Sequence, residues 1–377
     1  MRVNDNKNTS KITAAALLLL LGAAAQAQPA ATLQRNEHQV SATSTAPGMN
    51  GAEASLYVRE VSAATPTEAV PVLFVHGAGT PAEVAFDVPV AGYSWMAYLA
   101  ERGFATYATD MTGYGRSTRP SQMADRCNLS EEQQKQEFGD ACAATFASAL
   151  TTMASDWNDI DAVVDYLRAK HGVDKVNLVG WSQGGPRTAG YASVHPDKVA
   201  GIVILAPAYN RQAAATAADA PIAGVAITKQ SKTDFMNQWN GQTGCVDQYD
   251  PAVAAAVWSE MLASDPVGAK WGTGVRRAPR VPTFGWTSKE LAATQTPIMM
   301  VAGLTDGQVN PERVREMYAD LGARNKVLIE LECASHNAMW ERGAETLFDA
   351  SYQWLHDNHY EGVTTGTFTL ESGLTKK

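Results

Sequence analysis

The sequence predicts an α/β protein, a mostly parallel sheet flanked by helices and carrying a mainly helical insertion. Three observations lead there. Short apolar runs alternate with amphipathic segments along most of the chain. One of those runs ends in Gly180-Trp181-Ser182-Gln183-Gly184 and passes directly into a helical pattern. The alternation is interrupted once, between residues 208 and 291, by a stretch rich in aromatic residues.

The elements follow in order. Val72-Leu73-Phe74-Val75 reads as a buried strand entering a turn at His76-Gly77, and Ala105 to Thr109 as a second strand stopped by Asp110. A helix is expected near Ser155 to Lys170, with Trp157, Ile160, Val164 and Leu167 on one face and Gly172 beyond its end. Val176 to Val179 is the next strand, followed by a helix reaching about His195. Val199 to Ala206 has no polar side chain, as suits a strand covered on both faces. Ile298 to Ala302 and Val327 to Leu331 repeat the pattern. Between them Asn310 can cap a helix that has Pro311 at its first position and Val314, Met317, Tyr318 and Leu321 on its buried face, with Gly322 ending it. A last amphipathic helix runs from about Ala344 to His356.

These elements divide the core into residues 51–207 and 292–360, separated by the 208–291 insertion, which is expected to cap the strand ends. It holds Phe235, Trp239, Tyr249, Trp258, Trp271, Phe284 and Trp286. They suit either a binding cavity for an apolar or aromatic group or packing within the cap itself. Residues 28–50 are rich in Ala, Ser, Thr and Gln and read as a flexible leader, and 361–377 as a polar peripheral tail.

The first 27 residues read as a signal peptide. Arg2, Lys7 and Lys11 precede an apolar run with five consecutive leucines, Leu17 to Leu21, and Ala25-Gln26-Ala27 supplies small residues at a cleavage site. An uncleaved anchor is the alternative, but the run falls short of the ~20 apolar residues of a spanning helix, so no integral membrane segment is expected in the mature chain. The expected location is therefore periplasmic or extracellular. A formal net charge of −9 without a basic cluster argues against a nucleic-acid partner. Four cysteines, Cys127, Cys142, Cys245 and Cys333, permit three pairings in an oxidising compartment. The close pair Cys127 and Cys142 would staple one loop and leave Cys245 with Cys333, buried free thiols being the alternative. No C-x-x-C spacing supports a metal site.

The chemistry centres on Ser182. A sharp strand-to-helix turn pushes a serine hydroxyl out of the sheet, and small flanking residues let the backbone pass close by. Serine needs a base. Of seven histidines, His336 alone follows the last core strand in a short loop, where strand ends converge. Asp306, four residues past the strand ending at Ala302, is best placed to orient that imidazole, although Asp306-Gly307 also makes an ordinary turn. Glu330 and Glu332 are alternatives on the strand before His336. For the oxyanion, the backbone N–H of Gln183 and one from His76-Gly77-Ala78-Gly79 are expected, Ala78 first and Gly79 second. His76 itself reads as holding that loop.

With these residues stated, the chain resembles the α/β-hydrolase superfamily, in its serine esterase and lipase-like branch with a cap insertion, over roughly Leu56 to Asn358. The shared features are His76-Gly77, the turn Asp110-Met111-Thr112-Gly113-Tyr114-Gly115-Arg116-Ser117, the elbow at Ser182, Asp306 and His336. The resemblance implies acyl transfer through a covalent serine intermediate, without cofactor, on a small-molecule ester, with Asp110 shaping the sheet edge only. Epoxide hydrolases and haloalkane dehalogenases place aspartate where Ser182 stands. Proline iminopeptidases tend to carry a His-Gly-Gly-Pro-Gly loop, which His76-Gly77-Ala78-Gly79 does not match. The long connection from Ser117 to Ser155 is expected to form a disulfide-tied loop beside the site mouth. An amidase or peptidase, a cofactor-free perhydrolase or C–C hydrolase, and a non-catalytic binding protein on the same scaffold remain as alternatives.

Overall fold

The computed structural model describes residues 32–212, 217–280 and 286–377. The expected signal peptide and Phe284 lie outside the described residues. In chain order the strands are β1 (Leu33–Thr43), β2 (Glu53–Ala63), β3 (Val72–Val75), β4 (Thr106–Thr109), β5 (Val176–Trp181), β6 (Val199–Leu205), β7 (Ile227–Ser231), β8 (Val275–Pro279), β9 (Ile298–Gly303), β10 (Lys326–Leu331) and β11 (Thr365–Leu370). The helices are α1 (Ala82–Phe86), α2 (Trp95–Glu101), α3 (Glu131–Phe138), α4 (Met153–His171), α5 (Gly184–Val194), α6 (Lys232–Asn240), α7 (Pro251–Ala263), α8 (Ser288–Ala293), α9 (Pro311–Asp320) and α10 (Ala344–Asp357).

Nine strands form one sheet in the order β1-β2-β4-β3-β5-β6-β9-β10-β11. The pairs β1–β2 and β2–β4 are antiparallel, and every pair from β4 onward is parallel. This is the expected mostly parallel sheet, and β3, β5, β6 and β9 are buried on both faces, as near-continuous apolar runs require. The chain direction across the sheet reverses between β3 and β5. In such sheets the crevice at the carboxyl ends of the strands is where a ligand fits.

Both ends of the sheet differ from expectation. Much of the flexible leader is ordered: β1 pairs over its whole length with β2, from Leu33↔Ala63 to Thr43↔Glu53. Its polar side chains face water or bond to neighbouring elements: Arg35 pairs with Asp87 at 3.0 Å, and His38 Nε2 lies 2.6 Å from Glu60 Oε2. The polar tail likewise contains β11, parallel to β10. An edge strand is stabilised by backbone pairing on one side and tolerates polar composition, so a test for apolar content passes over it.

The insertion between β6 and β9 is mainly helical, as expected, and adds two strands that the sequence does not announce. It contains α6 and α7, but it is organised around the antiparallel pair β7–β8, from Ile227↔Pro279 to Ser231↔Val275. These strands read Ile-Thr-Lys-Gln-Ser and Val-Arg-Arg-Ala-Pro. They are too short and polar to stand out, and their pairing joins segments more than forty residues apart in the chain. Cys127–Cys142 and Cys245–Cys333 are both disulfides, as paired from spacing. The first ties the loop bearing α3, which backs β7: Lys229 meets Glu137 at 2.6 Å and Gln133 donates to the Lys229 carbonyl. The second fastens the insertion to the segment after β10.

Beneath the strand ends lies a buried polar cluster on α4 and α5. Arg187 Nε donates to Asp156 Oδ2 at 2.7 Å, and its Nη1 donates to the carbonyls of His76 and Gly77 at 2.9 and 3.2 Å. Asp159 accepts from the Thr112 N–H at 2.7 Å through Oδ2, while its Oδ1 has no partner among the described residues. Burial raises the Asp159 carboxyl from 3.8 to about 7.

Two outcomes follow. In the chain-entropy treatment, opening the bridge that spans 88 residues costs about 4–5 kcal/mol and the one that spans 15 about 3. Urea denaturation of Cys245→Ala/Cys333→Ala should therefore show the larger loss, and equal losses would refute that ordering. A raised folded-state pKa adds stability in full below 3.8 and loses it as pH rises through about 7. Asp159→Asn keeps an acceptor for Thr112 and should flatten the fall in unfolding free energy across that window. Parallel wild-type and variant pH profiles would contradict the assignment.

Candidate active site

Ser182 sits between β5 and α5 with φ at +57°, in the left-handed region that non-glycine residues seldom occupy. The turn exists because its neighbours lack side chains. A Cβ on Gly180 would stand 2.5 Å from the Gly184 carbonyl oxygen, and one on Gly184 2.4 Å from that of Val75. Pro186 lies in the first turn of α5, where its missing N–H leaves no bond unmade. The Ser182 N–H donates to the Leu205 carbonyl at 2.9 Å, and its own carbonyl accepts from Gly185 and Ala208.

Ser182, His336, Ala78 and Gly79 line one cavity of about 280 Å³ between the strand ends and the β7–β8 pair. His336 is buried, and its Nδ1 lies 2.8 Å from Asp306 Oδ2. The other oxygen of Asp306 accepts the N–H groups of Gln308 and Val309 at 2.7 and 2.8 Å. The two sequence readings of Asp306 therefore hold together: one oxygen makes the turn, the other meets the imidazole. Glu330 and Glu332 are committed elsewhere, to Arg315 and Lys376.

The backbone N–H groups of Ala78, Gly79 and Gln183 have no acceptor among the described residues. A Cβ on Gly77 would meet Ser182 Cβ at 2.9 Å, which measures how closely this loop passes the serine. His76 is fully buried, with Nδ1 2.7 Å from the Gly77 carbonyl and Nε2 accepting from the Met111 N–H at 3.1 Å. Burial, and then the Arg187 charge, hold its pKa well below the ordinary histidine value. It is neutral and fully engaged, and it braces the loop. Asp110 is likewise engaged, accepting from the N–H groups of Ala82 and Arg116 at 2.7 and 2.9 Å.

Several supporting residues carry no local sequence signal. Gln242, in the insertion, accepts from the N–H groups of Gly307 at 3.0 Å and His336 at 3.3 Å, so one side chain joins the Asp306 and His336 loops. Trp181 Nε1 donates to the His336 carbonyl at 2.8 Å. Glu341 is buried and accepts from Ser335 N–H, Gln248 Nε2 and Trp239 Nε1, each at 2.9 Å, and from the Ser335 hydroxyl at 2.5 Å. Burial raises its pKa, against the four donors that lower it. Of the insertion's described aromatics, Phe235 and Trp239 line the cavity. Trp258 packs beside Phe235, Trp271 against Phe138 and Trp286 against Tyr209, so much of the aromatic content is packing. The Cys127–Cys142 loop stands behind the β7 wall rather than at the cavity itself.

Among the described residues no helix is long and apolar enough to cross a membrane. A 46-residue stretch is 56% identical to the poly(3-hydroxyalkanoate) polymerase subunit PhaC of Allochromatium vinosum, covering 12% of this chain and 13% of that protein. The match therefore spans about 13% of the curated relative's length. Solved structures are similar over far more of the chain. They include a serine hydrolase involved in carbazole degradation (TM-score 0.53, 17% identity, 85% of this chain and 99% of that one). An esterase from Thermogutta terrifontis matches with TM-score 0.53 and 18% identity, over 84% and 98% of the two chains. A bromoperoxidase from Bacillus anthracis matches with TM-score 0.54 and 14% identity, over 85% and 100%. A family model described as the alpha/beta hydrolase fold matches residues 70–343, a span that takes in Ser182, Asp306 and His336. The chain belongs to the α/β-hydrolase family.

Proposed function

We propose that this hydrolase is an exported serine esterase that cleaves small carboxylic esters through Ser182, His336 and Asp306. The observation that carries the reading is that Ser182, held at φ +57° at the head of α5, faces the same cavity as His336, whose Nδ1 meets Asp306 at 2.8 Å. In this scheme His336 Nε2 takes the Ser182 proton as the oxygen attacks the ester carbonyl, and Asp306 stabilises the imidazolium. The N–H groups of Gln183 and Ala78, with Gly79 as the second candidate, hold the oxyanion. His336 then protonates the departing alcohol, and water releases the acyl group by the same route. No step calls for a cofactor. The two disulfides support an oxidising, extracytoplasmic location.

The test is hydrolysis of p-nitrophenyl esters of increasing acyl length by wild type and Ser182→Ala. The expected result is turnover that falls by more than about 10,000-fold in the variant. A wild type inert toward every ester and toward a fluorophosphonate probe would overturn the esterase. Glu341→Gln turns an amide NH₂ toward donors that now meet a carboxylate, loosening the His336 loop. It should lower kcat by about 10- to 100-fold while the secondary structure seen by circular dichroism stays intact. An unchanged kcat would remove Glu341 from the positioning of His336.

A further inference from the structure

Arg276 is the unusual residue of the cavity. Among the described residues three cations line it, Lys229, Arg276 and Arg277, and no carboxylate does. Lys229 is neutralised by Glu137 at 2.6 Å, and Arg277 by Asp265 at 2.5 Å. Consecutive residues on a strand point to opposite faces, so while Arg277 turns into that ion pair, Arg276 faces the cavity. Among the described residues its one hydrogen bond is from Nη1 to the Thr80 hydroxyl at 2.6 Å, and no carboxylate pairs with it. Nε and Nη2 have no protein acceptor there. The guanidinium lies 5.5 Å from the centre of the Phe235 ring. It also lies against the loop of the expected oxyanion donors: a Cβ on Gly79 would stand 2.9 Å from Arg276 Cζ.

Arg276 is part-buried at the cavity wall, and desolvation pushes its pKa down to about 10, leaving it cationic at neutral pH with donors open to the cavity. Its planar fork fits two oxygens of one anion, and Thr80 occupies only one of its donors. We propose that Arg276 is an anion-recognition residue, and that the substrate carries a carboxylate within a few bonds of the scissile carbonyl. This rests on the serine-esterase reading and narrows its substrate from esters in general to anionic esters. It also revises the apolar or aromatic expectation: Phe235 supplies a wall under the cation rather than the principal recognition.

The experiment compares matched ester pairs on wild type, Arg276→Met and Arg276→Lys. One pair places the carboxylate on the acyl side, p-nitrophenyl hemiglutarate against p-nitrophenyl valerate. The other places it on the leaving group, a carboxy-nitrophenyl butyrate against p-nitrophenyl butyrate. In at least one pair the anionic-to-neutral ratio of kcat/KM is expected to fall about 10- to 100-fold in Arg276→Met. Arg276→Lys should recover part of it, because the charge survives without the fork. A ratio that is the same in wild type and Arg276→Met for both pairs would overturn the proposal. Should no ester be turned over at all, the esterase reading fails separately. Calorimetric binding of glutarate and of the carboxy-nitrophenol to Ser182→Ala then tests the subsite without turnover. Binding of one of them, weakened about tenfold or more by adding Arg276→Met, supports it, and absent or unaltered binding overturns it.

Discussion

The close passage of backbone at the head of α5 is the constraint around which this molecule is arranged. Ser182 occupies a left-handed conformation that costs a non-glycine residue about 1–3 kcal/mol, and the surrounding structure must hold it there. It does so from several sides. β5 is paired with both β3 and β6, so the strand cannot shift to relax the turn. The Ser182 N–H and carbonyl are both bonded, to Leu205 and to Gly185 and Ala208. Gly180 and Gly184 remove the side chains that would otherwise strike backbone within 2.5 Å. Strain of this kind persists only where packing over-determines it, and here that packing is the centre of the sheet.

From that fixed point the remaining groups are brought in by loops, each tied by a different interaction. Arg187 reaches under the His76–Gly77 segment and bonds both carbonyls, so a fully buried ion pair with Asp156 anchors the loop that also contributes Ala78 and Gly79. Gln242 spans the loops of Asp306 and His336, and Glu341 gathers Ser335, Gln248 and Trp239 around the base of the second loop. The disulfide between Cys245 and Cys333 fastens the insertion three residues before His336. The insertion is therefore part of the site's scaffold as well as a wall of its cavity, and the same insertion supplies Arg276.

How much of this was legible beforehand depended on whether a residue's signal was local. The strand Val72–Val75 and the helix behind Asn310 and Pro311 are written in contiguous apolar runs and capping chemistry, and both occur where expected. Ser182 was legible because the glycines that permit its turn are its own neighbours in sequence. Strands β1 and β11 were missed because an edge strand needs a partner's backbone more than an apolar face. The pair β7–β8 was missed because its two short polar strands are stabilised by each other across a long stretch of chain.

The sequence by itself determined the α/β class and the strand-to-helix turn at Ser182, and it singled out Asp306, His336 and one pairing of the four cysteines as candidates, since spacing, periodicity and glycine placement act over a few residues. Only the tertiary structure decided that Asp306 divides its oxygens between a turn and His336, that Gln242 and Glu341 hold the loops, and that Arg276 faces the cavity without a counter-charge. Those outcomes depend on which partner each polar group meets after the chain has folded. A hydrogen bond or an unpaired charge is a property of two places brought together, and neither place records the other in its own sequence.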